Sequence, residues 1–400
     1  MQTPSPCLNI LYAGTLPPHP GGSAIVGAQL LTRLAEWGHT IRALAPITAE
    51  ALQAGDRFTA AHPALQVRRF VVPFFESAPN NAPPESYRTC EGRQVRDGLE
   101  RLIAMERPDI IVIGRETFAF HVPDIAVQHG LPSVVLAHGA TTTGMLMGTI
   151  PAAVAERLRA QCRRVQKIVL VAEHLAERYR HWGLSHCEVI QNGVDLAQFR
   201  PQPKDAALLR QLAIETDDVV VAHLSNMKDL KRPLDVVWSA KQALQQHPRL
   251  VYLIVGDGPF RGRMQETCRQ ERIDDRFRFV GWVEHEAVSD YINLADIVVM
   301  PSESEALALV YLETLACGRL LLASDIAAAR EVIVDGENGW LFQKGDVDEL
   351  AAKTVLAATH GDVRAAIGRR AREMITTHDL NTVATAYTRT FREIVQRYPG

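Results

Sequence analysis

Short apolar runs alternate with amphipathic segments along most of the chain. The run at residues 9–13 (NILYA) precedes residues 23–37, whose apolar positions have helical spacing and stop before Gly38. Short strands that alternate with helices are typical of a parallel sheet covered on both faces. Further strands are predicted in the N-terminal half at residues 41–45, 67–72, 110–113, 133–136 and 168–171.

The same alternation begins again after a stretch of turn residues at 191–204, where Asn192 and Gly193 signal a tight turn. The next strands are predicted at residues 219–224, 251–256, 277–280, 297–300 and 320–323. A chain of 400 residues also exceeds what one hydrophobic core usually serves. We therefore predict an α/β protein with two Rossmann-like, doubly wound domains, residues 1–198 and 199–378, that face each other across a cleft.

Two segments lie outside this alternation. Residues 381–398 carry apolar side chains at helical spacing, with Asn381 as the predicted N-cap. An amphipathic helix needs a surface to cover, so we predict that residues 379–400 cross back onto the N-terminal domain. Residues 74–88 are rich in proline and asparagine, which predicts an irregular loop.

Composition narrows the classes of partner. A formal net charge of −3 gives no reason to expect nucleic acid. The six cysteines are scattered without metal-ligand spacing, which favours reduced thiols in the cytoplasm. No apolar run approaches the length of a membrane span, and residues 1–7 lack a secretory signal. We expect a cytoplasmic protein whose arginine-rich residues 151–167 form either a solvated face or a peripheral contact with an anionic membrane.

Residues 301–318 carry the strongest chemical signal. A buried strand ends at Pro301, a loop with Glu305 follows, and a helix that contains Glu313 ends near Gly318. Open α/β sheets bind ligands at this carboxyl edge, and a helix N-terminus suits a diphosphate. Carboxylates suit the hydroxyls of a ribose or a hexose. An isolated pair of glutamates would indicate solvated side chains, whereas this setting favours a nucleotide-sugar site.

The same segment resembles the signature of the retaining glycosyltransferases of family 4, two glutamates with seven residues between them. The resemblance implies the GT-B fold, with Glu305 on the hydroxyls of the donor sugar and Glu313 on the ribose. It extends to NGVD at residues 192–195, VGDGP at 255–259, FVGW at 279–282 and EVIVDG at 331–336. The further donor-binding residues that it implies are Gly256, Trp282, Ala308 and Leu309.

A cationic cluster, residues 223–233 (HLSNMKDLKRP), follows the first strand of the C-terminal half. Positive charge there would stabilise a diphosphate leaving group, although solvated lysines are the plainer interpretation. Family 4 usually has an arginine followed five residues later by a lysine, and this chain has Asn226 and Lys231 there. We expect Lys228 to supply the missing positive charge, and Arg232 is the next candidate for this role. The local pattern is similar to the N-acetylglucosaminyl-malate synthase branch of the family.

Three residues of the N-terminal half are also candidates for the site. Gly21 and Gly22 precede the first helix, where backbone N–H groups can approach a phosphate, although the dinucleotide fingerprint G-x-G-x-x-G is absent. His138 follows a predicted strand. A lone histidine is normally structural, but the His-Gly that family 4 has at this point implies a hydrogen bond near the reacting hydroxyl or the donor sugar.

The resemblance implies a retaining transfer of a hexosyl or N-acetylhexosaminyl group from a nucleotide diphosphate sugar, with UDP favoured, to an unidentified acceptor hydroxyl. It implies no metal or other cofactor. The predicted catalytic residues are His138, Lys228, Lys231 and Glu305. A sugar-nucleotide epimerase of the same fold and a nucleotide-sugar-binding protein without catalysis are the alternatives. An NAD-dependent dehydrogenase would need the missing fingerprint.

Alanine replaces glycines that are usual in the family. Ala306 and Ala308 lie in the loop after Pro301, and Ala327 and Ala328 follow the next strand. Their methyl groups are expected to narrow the space around the sugar and to affect the choice of donor.

Overall fold

The computed structural model describes residues 7–19, 21–72, 85–146 and 150–398, with backbone only for residues 85–91, 140 and 146. The chain forms two compact units. The N-terminal unit comprises Met1–Asn192 and Leu380–Gly400, and the C-terminal unit comprises Gly193–Asp379.

A parallel sheet of seven strands forms the centre of the N-terminal unit. Its strands are β1 (Asn9–Ala13), β2 (Thr40–Thr48), β3 (Leu65–Val72), β4 (Ile110–Ile113), β5 (Ser133–Ala137), β6 (Lys167–Leu170) and β7 (Cys187–Val189). Their order is β3-β2-β1-β4-β5-β6-β7, so the direction of winding reverses between β1 and β4. The six predicted strands are confirmed. The edge strand β7 was missed because its three residues are only half-buried and form no apolar run.

Helices cover this sheet. Those of the first 192 residues are α1 (Gly22–Glu36), α2 (Leu52–Ala61), α3 (Glu85–Met105), α4 (Val122–Gln128), α5 (Ala140–Leu146), α6 (Ala152–Cys162) and α7 (Glu173–His181). Helix α3 begins inside the predicted irregular stretch because the last prolines are at 83 and 84, and proline is tolerated at a helix start. The rest of that prediction, up to residue 84, lies outside the described residues.

The C-terminal unit repeats this architecture around a parallel sheet of six strands, in the order β10-β9-β8-β11-β12-β13. The strands are β8 (Val219–Leu224), β9 (Leu250–Val255), β10 (Phe277–Gly281), β11 (Ile297–Met300), β12 (Leu320–Ser324) and β13 (Trp340–Phe342). The helices are α8 (Ala206–Gln211), α9 (Pro233–Gln246), α10 (Arg261–Gln270), α11 (Val288–Leu294), α12 (Leu309–Ala316), α13 (Ala327–Arg330), α14 (Val347–Thr359) and α15 (Gly361–Met374). The short edge strand β13 was not predicted.

The last helix, α16 (Leu380–Arg397), packs on α1 and belongs to the N-terminal unit, which confirms the predicted return of the chain. Its Tyr387 and Phe391 are buried in the same apolar cluster as Leu34 of α1. Asn381 is not the N-cap, because the helix begins one residue earlier. Its side chain instead accepts a hydrogen bond from Arg33 on α1.

The arginine-rich segment predicted as a helix over residues 151–167 is shorter than expected, because β6 begins at Lys167. Carboxylates compensate much of its charge. Arg159 and Arg163 both pair with Glu156, and Arg164 pairs with Asp124. This leaves less positive charge for the predicted contact with an anionic membrane. Within the described ranges, no helix has the length and apolar character required to cross a bilayer.

Candidate active site

The loops that follow β8 and β11 meet at the carboxyl edge of the C-terminal sheet. Lys231 Nζ lies 2.5 Å from Glu305 Oε1, and Ser302 Oγ donates to the same oxygen at 2.7 Å. A backbone hydrogen bond of 2.8 Å from Glu303 to Leu230 also joins the two loops. Strands β8 and β11 are the neighbours between which the winding reverses, the point where open α/β sheets bind ligands. Two predicted site residues from distant parts of the sequence are therefore in direct contact.

A buried polar network supports the loop that carries Lys231. His223, at the end of β8, is fully buried, and its Nδ1 lies 2.9 Å from the carbonyl oxygen of Val299. Since a carbonyl only accepts, Nδ1 donates and Nε2 accepts from Ser225 Oγ at 2.8 Å. Burial lowers the pKa of His223 to about 4, which agrees with a neutral ring. Ser225 Oγ in turn accepts from the backbone N–H of Met227 at 3.0 Å, so the network holds the start of the loop in place.

The remaining residues of the cationic cluster differ in their surroundings. Lys228 immediately precedes a single 3-10 turn, Asp229–Lys231. Asn226, at the position of the family's arginine, has a buried Oδ1 without a hydrogen-bond partner among the described residues. Arg232 pairs with Asp235 at 2.6 Å and with Glu303 at 3.2 Å. Two carboxylates contact Arg232 and one contacts Lys231, which makes Arg232 the weaker candidate for a diphosphate.

The second glutamate of the motif has a partner that the sequence analysis missed. Glu313 is only 3% exposed, inside α12, and its Oε1 lies 2.7 Å from His285 Nε2. Burial opposes protonation of His285, but the hydrogen bond and the charge of Glu313, with a smaller effect of Glu286, raise its pKa above the ordinary value. Protonation of His285 is therefore easier than in an exposed histidine, and the ring lies against one oxygen of Glu313.

We expect the stability of the C-terminal unit to depend on pH through this pair. The pKa of His285 is higher in the folded chain than the value of about 6.5 typical of an unfolded chain. Its contribution to stability is therefore complete below about pH 6.5 and is lost as the pH rises through the raised, folded-state pKa. Urea unfolding of the wild type and of His285→Gln at pH 6 and pH 8.5 should show a difference that shrinks at the higher pH. A constant difference would contradict the assignment.

Other predicted donor-binding residues lie around the same edge. Trp282, directly after β10, exposes 54% of its surface. Ala308 precedes α12, which begins at Leu309, and no side chain caps this helix N-terminus. Of the two alanines in place of the usual Gly-Gly, Ala327 is exposed and Ala328 is buried.

Gly256 and Gly258, after β9, have a packing reason for their identity. A Cβ on Gly256 would lie 2.0 Å from the carbonyl oxygen of Ser225, and one on Gly258 would lie 1.9 Å from that of Asn226. The loop after β9 can therefore approach the loop after β8 only because these residues lack side chains.

The N-terminal unit has a comparable edge where β1 and β4 are neighbours. Gly21, with φ of 149°, immediately precedes α1, which begins at Gly22. Two nearby glycines pack closely on Tyr12. A Cβ on Gly14 would lie 2.7 Å from the Tyr12 hydroxyl oxygen, and a Cβ on Gly114 would lie 2.0 Å from it. The buried Tyr12 hydroxyl itself donates to the carbonyl of Thr15 at 3.1 Å.

His138 lies directly after β5, with its ring beside the backbone of Gly114. Its Nε2 is buried and has no hydrogen-bond partner among the described residues. Burial, with a contribution from Arg115, lowers the pKa of His138 to about 4, so the ring is neutral. A neutral imidazole has one donating and one accepting nitrogen, so the ring can form a hydrogen bond with a ligand hydroxyl.

Glu116 was not predicted from the sequence. It follows β4, is 0% exposed, and its Oε1 accepts a hydrogen bond of 2.7 Å from the backbone N–H of Gly139. Its Oε2 has no hydrogen-bond partner among the described residues. A fully buried carboxyl group beside His138 is unusual, since glutamate is rarely buried without a partner. No motif in the sequence GRETF marks this position.

Comparison with known proteins agrees with this geometry. The family model described as Glycosyltransferase Family 4 matches residues 20–198, and the model described as Glycosyl transferases group 1 matches residues 205–374. D-inositol 3-phosphate glycosyltransferase of Kribbella flavida is 32% identical over 46% of this chain and 46% of that protein. N-acetyl-alpha-D-glucosaminyl L-malate synthase of Bacillus anthracis is 30% identical over 42% of this chain and 43% of that protein. The alignments thus span less than half the length of these two relatives.

Solved structures share the fold over nearly the whole chain. Anabaena HepE in complex with UDP-glucose has a TM-score of 0.80 and 18% identity, covering 96% of this chain and 100% of that chain. Sucrose-phosphate synthase from Thermosynechococcus elongatus has a TM-score of 0.79 and 17% identity, covering 97% and 100%. With both halves matched by family models and the fold shared throughout, the chain belongs to glycosyltransferase family 4 and has the GT-B fold.

Proposed function

We propose that the protein transfers a hexosyl or N-acetylhexosaminyl group from a nucleotide diphosphate sugar to an acceptor hydroxyl, with retention of anomeric configuration. The contact between Lys231 and Glu305 carries this proposal. In the donor, a diphosphate and a polyhydroxylated ring are joined through one glycosidic oxygen. A cation suited to the first and a carboxylate suited to the second lie 2.5 Å apart, so both groups of one donor can be bound at once.

Each part of the donor has a candidate partner in the C-terminal unit. Lys231 and Lys228 would stabilise the departing diphosphate, and no metal is needed for this neutralisation in the proposed mechanism. Glu305 would orient the hexose. Glu313 would bind the ribose through Oε2 while Oε1 keeps its contact with His285, because a carboxylate has two accepting oxygens. Helix α12 starts at Leu309 without a side-chain cap, so the backbone N–H groups there are open to a ligand. Together with the positive end of the helix dipole, they would stabilise the diphosphate.

The acceptor is proposed to bind to the N-terminal unit, near His138. Retention can proceed along a front-face path, in which the leaving phosphate takes the proton of the acceptor hydroxyl. We therefore assign no side-chain nucleophile. The neutral ring of His138 would orient a hydroxyl of the acceptor or the donor sugar. Gly21 and Gly22 would let backbone N–H groups approach the diphosphate.

UDP is the favoured nucleotide, since HepE, which has the same fold, was solved in complex with UDP, with UDP and glucose, and with UDP-glucose. A melting screen with UDP-, GDP- and ADP-sugars tests this choice. A ligand at 100 times its Kd stabilises the folded state by about 2.7 kcal/mol. For a unit of this size that corresponds to a rise in Tm of about 5–10 °C.

A substitution of Trp282 tests whether this side chain contacts the base of the donor. If its exposed ring stacks on the base, Trp282→Ala should weaken binding of UDP by about 5- to 150-fold, the equivalent of about 1–3 kcal/mol. Trp238, which is 41% exposed and lies on α9, is the matched control, and Trp238→Ala should leave the Kd of UDP unchanged. Isothermal titration measures both. Equal effects of the two substitutions would remove Trp282 from the donor site.

Two outcomes would contradict the proposed function itself. The first is the absence of any shift in Tm with all three classes of nucleotide sugar. The second is an NMR spectrum in which the donor is converted to its epimer when no acceptor is present, as expected for an epimerase. The anomeric coupling constant of a transferred sugar would test retention directly.

A further inference from the structure

Glu116 is a buried ionisable group that the proposed reaction does not use. It lies two residues after Gly114, whose backbone lies beside the ring of His138. Its own Oε1 accepts from the backbone N–H of Gly139 at 2.7 Å. The segment after β4 thus contacts the turn after β5 at two points, one on the imidazole and one on the backbone behind it. Gly139, with φ of 84°, has a left-handed conformation that makes this turn possible.

We propose that Glu116 is a positioning residue, which fixes the His138–Gly139 turn so that the His138 ring is held towards the reacting hydroxyl. This inference rests on the proposed function, because it assigns a role to His138 in sugar transfer. Without Glu116, the backbone N–H of Gly139 would lose its acceptor. The turn could then relax, and the ring of His138 would lose its fixed position beside Gly114.

The environment of Glu116 favours its protonated form more than water does. Burial raises its pKa, while the N–H groups of Glu116, Gly139 and His138 and the charge of Arg115 oppose that effect without cancelling it. The other ionisable groups close enough to interact with it are Cys162 and Tyr179, whose own pKa values burial raises, so both stay neutral. A protonated carboxyl still accepts the N–H of Gly139 through its carbonyl oxygen, and a glutamine amide can do the same.

This gives a pair of variants with opposite expectations. Glu116→Gln should retain most of the kcat of sugar transfer. Glu116→Ala should lower kcat by about 10- to 100-fold, the scale of a displacement of about 1 Å at a reacting group. The Kd of UDP should be unchanged in both, because the donor is assigned to the C-terminal unit. Thr390→Val is the control for a lost buried hydrogen bond, since Thr390 is fully buried in α16 and donates to Glu188 at 3.0 Å.

The nitrogen shifts of His138 separate a positioning role from a merely structural one. In protein labelled with 15N-histidine, the two ring nitrogens of His138 should have the same chemical shifts in Glu116→Gln as in the wild type, and altered shifts in Glu116→Ala. His138→Gln identifies the signal.

Wild-type kcat in Glu116→Ala would overturn the inference, and so would a lost kcat with an unchanged His138 spectrum. If Glu116→Ala does not fold, Glu116→Gln tests the positioning role instead. A folded Glu116→Gln variant that transfers no sugar but keeps the His138 spectrum would contradict this role, because the carboxyl group would then act in the reaction itself. Wild-type protein that does not bind UDP would instead reject the proposed function.

Discussion

Replacing Lys231 with alanine is expected to lower kcat of sugar transfer by about 10²- to 10³-fold, the usual loss when one group that stabilises developing charge is removed. The negative charge on the leaving diphosphate grows as the glycosidic bond breaks, so the loss should appear in kcat more than in the KM for the donor. Glu305→Gln should also lower kcat by orders of magnitude, since an amide cannot offer the charged acceptor that a sugar hydroxyl meets in the wild type. Single-turnover kinetics with saturating donor measures both losses.

The two substitutions need a control for stability. Glu305 is nearly buried, and among the described residues it keeps only Ser302 as a hydrogen-bond partner when Lys231 is removed. Lys241→Ala serves this purpose. Lys241 lies on α9 and pairs with Glu271 at 2.6 Å, away from the loops after β8 and β11. Its removal should leave kcat unchanged, as an exposed ion pair contributes about 0–1 kcal/mol. Near-normal turnover in Lys231→Ala or in Glu305→Gln would remove the proposed role of that residue.

The central strands could be predicted from the sequence because burial on both faces leaves an unmistakable apolar run. Strands β1, β4, β8 and β11 were predicted to the residue. The edge strands β7 and β13 were not, since a strand of three residues is too short to show a periodic pattern.

The site was only partly predictable, for a different physical reason. Glu305 and Glu313 have a recognisable spacing, but their partners come from other strands. Lys231 meets Glu305 because β8 and β11 are neighbours, a fact of strand order. His285 lies 28 residues before Glu313 in the chain, and its side chain reaches the carboxylate only after folding. Glu116 carries no local signal, since a glutamate between Arg115 and a threonine suggests a solvated side chain.

Gly256→Ala is expected to disrupt the donor site through backbone packing. The new Cβ would lie 2.0 Å from the carbonyl oxygen of Ser225, and the φ of 113° is one that side chains rarely adopt. Because the clash is with backbone, the segment that starts at Ser225 must move. That movement would break the hydrogen bonds of Ser225 with His223 and Met227 and shift the loop that carries Lys231.

The cost combines overpacking of about 1–3 kcal/mol with backbone strain of about 1–2 kcal/mol. For a unit of this size, Tm should fall by about 5–20 °C, as 1 kcal/mol corresponds to about 2–4 °C. Transfer by the remaining folded protein should fall about 10²-fold, since Lys231 would be displaced from the diphosphate. Calorimetry and assays well below the lowered Tm separate the two effects.

Gly262→Ala is the matched control for Gly256→Ala. Gly262 is the second residue of α10, and a Cβ there would meet no atom within 4 Å. Alanine in a helix is more stable than glycine by about 0.5–1 kcal/mol, so Tm should stay the same or rise slightly. Transfer should be unaffected, because the loop after β8 does not move. Wild-type Tm and transfer in Gly256→Ala would show that the loops after β8 and β9 can separate without consequence, and would reject the packing argument for the conformation of the Lys231 loop.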